Sequence, residues 1–190
     1  MACKLTKSIN GKVCAYEVAG ARAVYLANYY PPVVGAASVA GKIAYTIDED
    51  GVISSVKLPA DEFFYQMEAA TNSISFTDAL LVGGNDNRYR QHTVNTVLNR
   101  IDVDVLNQGD ALSLGKFVAF VVNNNGQVLV LGRVNGLKAP AGGFDYNSGA
   151  ADADASGWTS ILQGVSGELT KLVTSEAALT PLYVAPEIEE

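Results

Sequence analysis

The stretch spanning residues 61–102 sets the terms on which this chain can fold. It reads as two long strands, DEFFYQMEAATNSISFTDALLV and RYRQHTVNTVLNRID, joined by Gly83-Gly84-Asn85-Asp86-Asn87. Gly, Asn and Asp tolerate a positive φ at little cost, which is the chemistry a hairpin loop needs. No proline interrupts either arm after Pro59. Arms of about fifteen residues or more would reach roughly 50 Å at ~3.3 Å per residue, against ~17–20 Å for an ordinary strand. One small domain cannot cover such a ribbon. The sequence therefore predicts that its far end is wrapped, bulged or paired with another molecule.

Pairing the arms symmetrically about Asn85 divides the ribbon into two faces. Phe76 meets Val94, Ile74 meets Thr96, Leu98 meets Asn72, and Leu80 meets Arg90 near the tip, which makes one face partly apolar. Ser73, Ser75 and Thr77 meet Val97, Asn95 and Thr93, and Ala79 meets Gln91, which makes the other mostly small, polar and uncharged. Side chains alternate with a period of two, so a slip of one residue would exchange the faces, and a bulge would spoil the register.

The remaining chain reads as strands, one helix and loops in a single domain over residues 1–190. Residues 22–30 (RAVYLANYY) are rich in β-branched and aromatic types and form a strand that Pro31-Pro32 stops. Residues 43–47 and 52–58 flank Asp48-Glu49-Asp50-Gly51 as a hairpin with an acidic turn, read as solvated rather than metal-binding. Val105, Leu106, Gly109 and Leu112 have helical spacing, predicting a short helix over 103–114, with Asp102 placed as its cap. Apolar runs around Asn123-Asn124-Asn125-Gly126 give a short hairpin. Residues 135–157 are rich in Gly, Ala, Asp and Ser, and read as a long loop or mobile insertion. Residues 157–169 (GWTSILQGVSGEL) read as a last strand, and 181–190 as an acidic tail that frays unless a neighbour holds it.

Composition narrows the function classes. A hydrophobic share of 48% is enough for a folded core. A net charge of −7 with thirteen Lys plus Arg argues against a tight grip on DNA, which needs clustered cations, and suits a surface that nucleic acid slides past. Cys3 and Cys14 read as free thiols rather than a bridge. There is no apolar leader and no run long enough to span a membrane, so neither export nor membrane insertion is expected.

Enzyme signatures are mostly missing: no nucleophile elbow, phosphate loop, dinucleotide fingerprint or zinc spacing is present. His92 reads as a strand-surface histidine rather than a base. Asp152-Ala-Asp154-Ala-Ser156-Gly157 matches the first half of a calcium loop, but Gln163 stands where a bidentate Glu is needed, and the segment leads into a strand. The expectation is a protein without catalytic residues, cofactor or bound metal.

Three segments, GARAVYLANYY, SISFTDALLVGG within the long hairpin, and GWTSILQGVSGELTKLV, together with the one short helix after the hairpin, resemble tail-tube-type structural proteins of tailed bacteriophages. The nearest likeness is to structural proteins of phages and prophages of Bacteroides-like bacteria. It spans about residues 20–173 and rests on strand order rather than on any one motif. The resemblance implies a mainly β fold, a β-sandwich or barrel with one short helix, whose long hairpin joins a barrel shared between subunits; the type VI secretion tube has the same fold. It also implies hexameric rings stacked into a tube that conducts DNA, contact with other tail proteins, and a place in the virion tail after assembly in the host bacterial cytoplasm. Carried onto this chain, Ser73, Ser75, Thr77, Gln91, Thr93 and Asn95 would face the lumen, and Ile74, Phe76, Val94 and Leu98 would pack on protein. Gly142, Phe144, Tyr146, Asp152 and Asp154 would lie in the loop that contacts the next ring. Arg88, Arg90 and Arg100 would trap DNA if they faced the lumen, so they are expected at rims or subunit contacts, paired with acids. A head-decoration or connector protein, or a carbohydrate-binding or adhesin-like β-sandwich, is the alternative.

Overall fold

The computed structural model describes residues 9, 18–67, 69, 73–98, 103–149 and 156–183. In chain order the strands are β1 (Ala21–Asn28), β2 (Pro32–Val34), β3 (Ile43–Ile47), β4 (Ile53–Lys57), β5 (Tyr65–Met67), β6 (Ile74–Val82) and β7 (Arg88–Leu98). The helix α1 (Val103–Leu114) follows, then β8 (Phe117–Asn123), β9 (Val128–Leu131), β10 (Phe144–Asn147), β11 (Gly157–Ser166) and β12 (Lys171–Val173). The chain is mainly β with one short helix, as its sequence indicates, in two sheets of which neither closes into a barrel. No helix among the described residues is long and apolar enough to cross a membrane.

The larger sheet runs β2-β3-β4-β12-β9-β8-β1-β5, and its central strands are buried on both faces. In β8, Val118, Phe120 and Val122 join one apolar cluster while Phe117, Ala119 and Val121 join another. An unbroken apolar run such as FVAFVV is what a strand covered on both sides requires. Residues from β3 and β4 (Ile43, Tyr45, Ile53, Val56) and from the approach to β5 (Phe64) meet in the first cluster, so the sheet curls around it. Phe64 and Phe120 pack edge to face there, with ring centroids 5.3 Å apart. Burial of an aromatic side chain of this size stabilises the fold by about 1.5–3 kcal/mol. Strand alternation lets β1 serve both clusters, with Val24 and Leu26 facing one and Ala23, Tyr25 and Ala27 the other, and a register shift between Ala21 and Ala23 brings Ala21 to the side of Val24.

The second cluster joins the larger sheet to the smaller one, ordered β10-β11-β7-β6. Here the long hairpin departs from the sequence expectation. Its first arm is not one strand: β5 pairs with β1 in the larger sheet and β6 with β7 in the smaller, so the arm passes from one layer to the other. The β6 and β7 arms reach only about 30–36 Å at ~3.3 Å per residue, and β11 covers β7 from Leu98 to Arg90. Most of the ribbon is therefore wrapped by its own domain. The insertion expected over 135–157 is also partly built into the fold. Leu137 is fully buried, Lys138 bridges to Gln163, and β10 forms the edge of the smaller sheet. Strands β2 and β12 are three residues long, too short to leave a pattern, and β2 begins at the proline that was read as a stop.

Candidate functional site

The smaller sheet carries the hairpin. Its register is the symmetric one about Asn85: Ile74 opposite Thr96, Phe76 opposite Val94, Thr77 opposite Thr93, and Val82 opposite Arg88, without a bulge. The loop is tight, with Gly83 N donating to Asn87 O at 2.7 Å. Asn85 and Asp86 hold the left-handed conformations at φ 59° and 58°, whereas the two glycines do not. Asn and Asp are the residues other than glycine that adopt this region most readily.

On the inner face, Ile74, Val94 and Leu98 are buried, and Phe76 packs against the cluster that holds Ile74 and Val94. On the outer face, Ser75 and Thr77 are exposed, and Ser73, Gln91, Thr93 and Asn95 are half-buried. Gln163 of β11 donates through Nε2 to Thr93 Oγ1 at 3.3 Å on this side. By strand alternation, the outer face of β6, β7 and β11 contains Ser75, Thr77, Ala79 and Leu81; Tyr89, Gln91, Thr93, Asn95 and Val97; and Thr159, Ile161, Gln163 and Val165. None of these is charged. On that side the charges begin beyond β11, with exposed Lys138 bridged to Gln163 and Asp145 of β10 opposite Thr159.

The charges of the hairpin are on the inner side. Arg90 Nε donates to Asp78 Oδ1 at 2.7 Å, and its Nη2 donates to the Asp78 carbonyl at 2.8 Å. Asp78 Oδ2 accepts the Thr170 N–H at 2.9 Å. Burial pulls the Asp78 carboxyl upward, but Thr170, Arg90 and His92 together outweigh it and hold the group below its ordinary value. His92 is not on the surface as the sequence suggested. It is buried, with Nδ1 accepting from Gly132 N and Nε2 3.5 Å from Asp78 Oδ1. Nearby, Arg133 grips Glu168 through two bonds of 2.7 and 2.6 Å. Arg88 sits 3.4 Å from Asp86 at the exposed tip, and Arg100 lies outside the described residues. Asp78 and His92 were missed as a pair, although symmetric pairing about Asn85 already sets them opposite one another. A carboxylate and an imidazole set opposite one another on the partly apolar face, beside Arg90, were the available signal.

Two further features belong to the hairpin. Among the described residues, β6 pairs only with β7, leaving its other side as a sheet edge. Val97 N donates to Ser73 O, so odd-numbered residues of β6 turn their amides toward β7 and even-numbered ones turn them to that edge. Toward the tip, Leu80 and Val82 are 55% and 60% exposed, on the face that is apolar further down.

The residues expected in the inter-ring loop separate. Gly142 is exposed in a turn, and Tyr146 is exposed on β10. Phe144 is half-buried and stacks on Trp158 with centroids 4.7 Å apart and planes 12° apart. The same ring sits against α1 at Gly109, where an added Cβ would lie 3.0 Å from Phe144 Cε1; the glycine lets helix and strand close up. Asp152 and Asp154, and with them the partial calcium loop, lie outside the described residues, as do Cys3, Cys14 and Asp102. Among the described residues no three His, Cys, Asp or Glu side chains are grouped to hold a metal. An open groove of about 350 Å³ between the hairpin tip and the end of β11 is lined by Asn87, Tyr89, Asn135, Val165, Ser166 and Gly167.

Comparison of the chain with family models, with curated proteins and with solved structures finds no match.

Proposed function

We propose that this chain is a non-enzymatic structural protein that assembles with copies of itself, through its smaller sheet, into stacked rings of the tail-tube type. The outer face of β6, β7 and β11 would line a bore that DNA passes through. The observation that carries this reading is the uncharged outer face lying next to a sheet edge at β6. Hydroxyl and amide side chains hydrate a channel without fixed cations to hold phosphate, whereas each lysine or arginine on such a surface would add a phosphate contact. An exposed edge is a template for another strand, and closure into a ring of subunits removes it. In the same reading, the exposed Leu80 and Val82 are covered by the neighbouring subunit.

The test uses the edge. The Leu80 amide points away from β7, so Leu80→Pro removes an edge donor and leaves the β6–β7 ladder intact. Electron micrographs of the purified wild-type chain are expected to show rings or tubes. Leu80→Pro is expected to give a folded monomer with the same circular dichroism. A wild-type chain that stays monomeric at high concentration, or a proline variant that assembles with an unchanged bore, would sink the proposal.

A further inference from the structure

His92 is 2% exposed, and its two ring nitrogens face different parts of the fold. Nδ1 accepts the backbone N–H of Gly132, 3.1 Å away, just past β9. A nitrogen that accepts a hydrogen bond carries no proton, so the neutral ring has its proton on Nε2, the nitrogen facing Asp78. The charged groups around the ring come from three directions. Asp78 stands on β6, Arg90 on the ring's own strand, and Glu168 in the turn between β11 and β12, held by Arg133 beyond β9. The imidazole is thus one of two side chains, with Asp78 on the Thr170 N–H, that tie the hairpin to backbone at the ends of larger-sheet strands.

We propose that His92 is a proton-operated latch between the hairpin and the chain after β9: neutral, it holds the Gly132 N–H; protonated, it must release it. An imidazolium donates from both nitrogens and has no lone pair left for Gly132. The released amide would be buried against a second donor, an arrangement that favours opening. Burial pushes the ring below its ordinary value of 6.5, with help from Arg90 and against the pull of Asp78 and Glu168. An opened segment takes up a proton near pH 6.5, while the closed one does not. The closed form therefore binds fewer protons, and its advantage shrinks as pH falls below that value. The hairpin base stays packed through Ile74 and Val94, with Phe76 against them, so the part set free is the tip beyond Asp78 and His92.

The experiment is amide exchange at Gly132 in the full chain, corrected for the intrinsic pH dependence of exchange, together with the nitrogen shifts of the His92 ring. Between about pH 7.5 and about pH 5.5 the Gly132 amide is expected to lose about tenfold in protection, the change that uptake of one proton produces on opening. At the higher pH the ring should carry its proton on Nε2. His92→Gln keeps an acceptor for Gly132 and cannot be protonated, so its protection should not change with pH. The latch is overturned if wild-type protection holds at the lower pH, if His92→Gln loses protection as the wild type does, or if the ring proton is found on Nδ1. Should His92→Gln fail to fold, wild-type exchange and the ring shifts decide the matter alone.

Discussion

Gly164 is a residue whose missing side chain holds two layers together. It lies on the inner face of β11, opposite His92, and an added Cβ would come within 2.2 Å of the Gly136 carbonyl oxygen. That oxygen belongs to backbone that cannot swing aside as a long side chain can. Gly164→Ala is therefore expected to lower stability by about 2–3 kcal/mol, the range of an overpacked core, read as a shift of the urea midpoint. A midpoint within error of wild type would mean that the 136–138 segment is not seated on β11. Phe76 and Thr77 are neighbours with opposite consequences. Phe76→Asp puts an unpaired charge against the cluster of Ile74 and Val94 and should destabilise by about 3 kcal/mol or more. Thr77→Lys points outward and should stay within about 0.5 kcal/mol of wild type. Denaturant titrations of the two variants compare the faces directly, and a reversed order would contradict the register.

At the scale of elements, the legible parts of the sequence were those with a strong period or a turn of known chemistry. Helix α1 has the predicted bounds because apolar spacing marks it on one side and the change to FVAFVV on the other. The hairpin register was legible because the loop fixes its centre and the apolar face leaves one choice of phase. The split of the first arm between two sheets was not legible, because Tyr65 to Val82 contains no proline and nothing local says which layer a strand joins. Burial of His92 was missed for a similar reason: its acceptor role toward Gly132 depends on a contact forty positions away in sequence. In the loop beyond β9, Gly and Ala read as looseness, yet Gly136 leaves room for the Lys116 and Tyr29 side chains, and Gly164 of β11 lets the Gly136 carbonyl come close. The outer face was legible as a chemical pattern, because strand alternation about Asn85 separates it from the apolar side.

For the whole molecule, acid should act in stages. The Asp78 carboxyl is held below its ordinary value of 3.8, so the unfolded chain takes up its proton first and stability falls as pH drops through that region. The full contribution is present above about pH 5 and is lost towards the lower folded value. Asp78→Asn should unfold about 1–2 kcal/mol more easily at neutral pH, since Arg90 loses its partner in a partly solvated site. It should also show a flatter decline between about pH 5 and about pH 3, measured by urea titration at each pH. An unchanged slope would remove Asp78 from the account.

The wall formed by β1 and β8 has a consequence for descent. Because both of its sides are buried, almost no position in those strands can accept a polar replacement, while the outward residues of β6, β7 and β11 belong to neither apolar cluster. Selection for folding therefore acts on one set of positions and leaves the other to whatever the chain meets. Lineages carrying this fold would keep an anonymous apolar wall, which looks like many others, and drift fastest on the surface that distinguishes them.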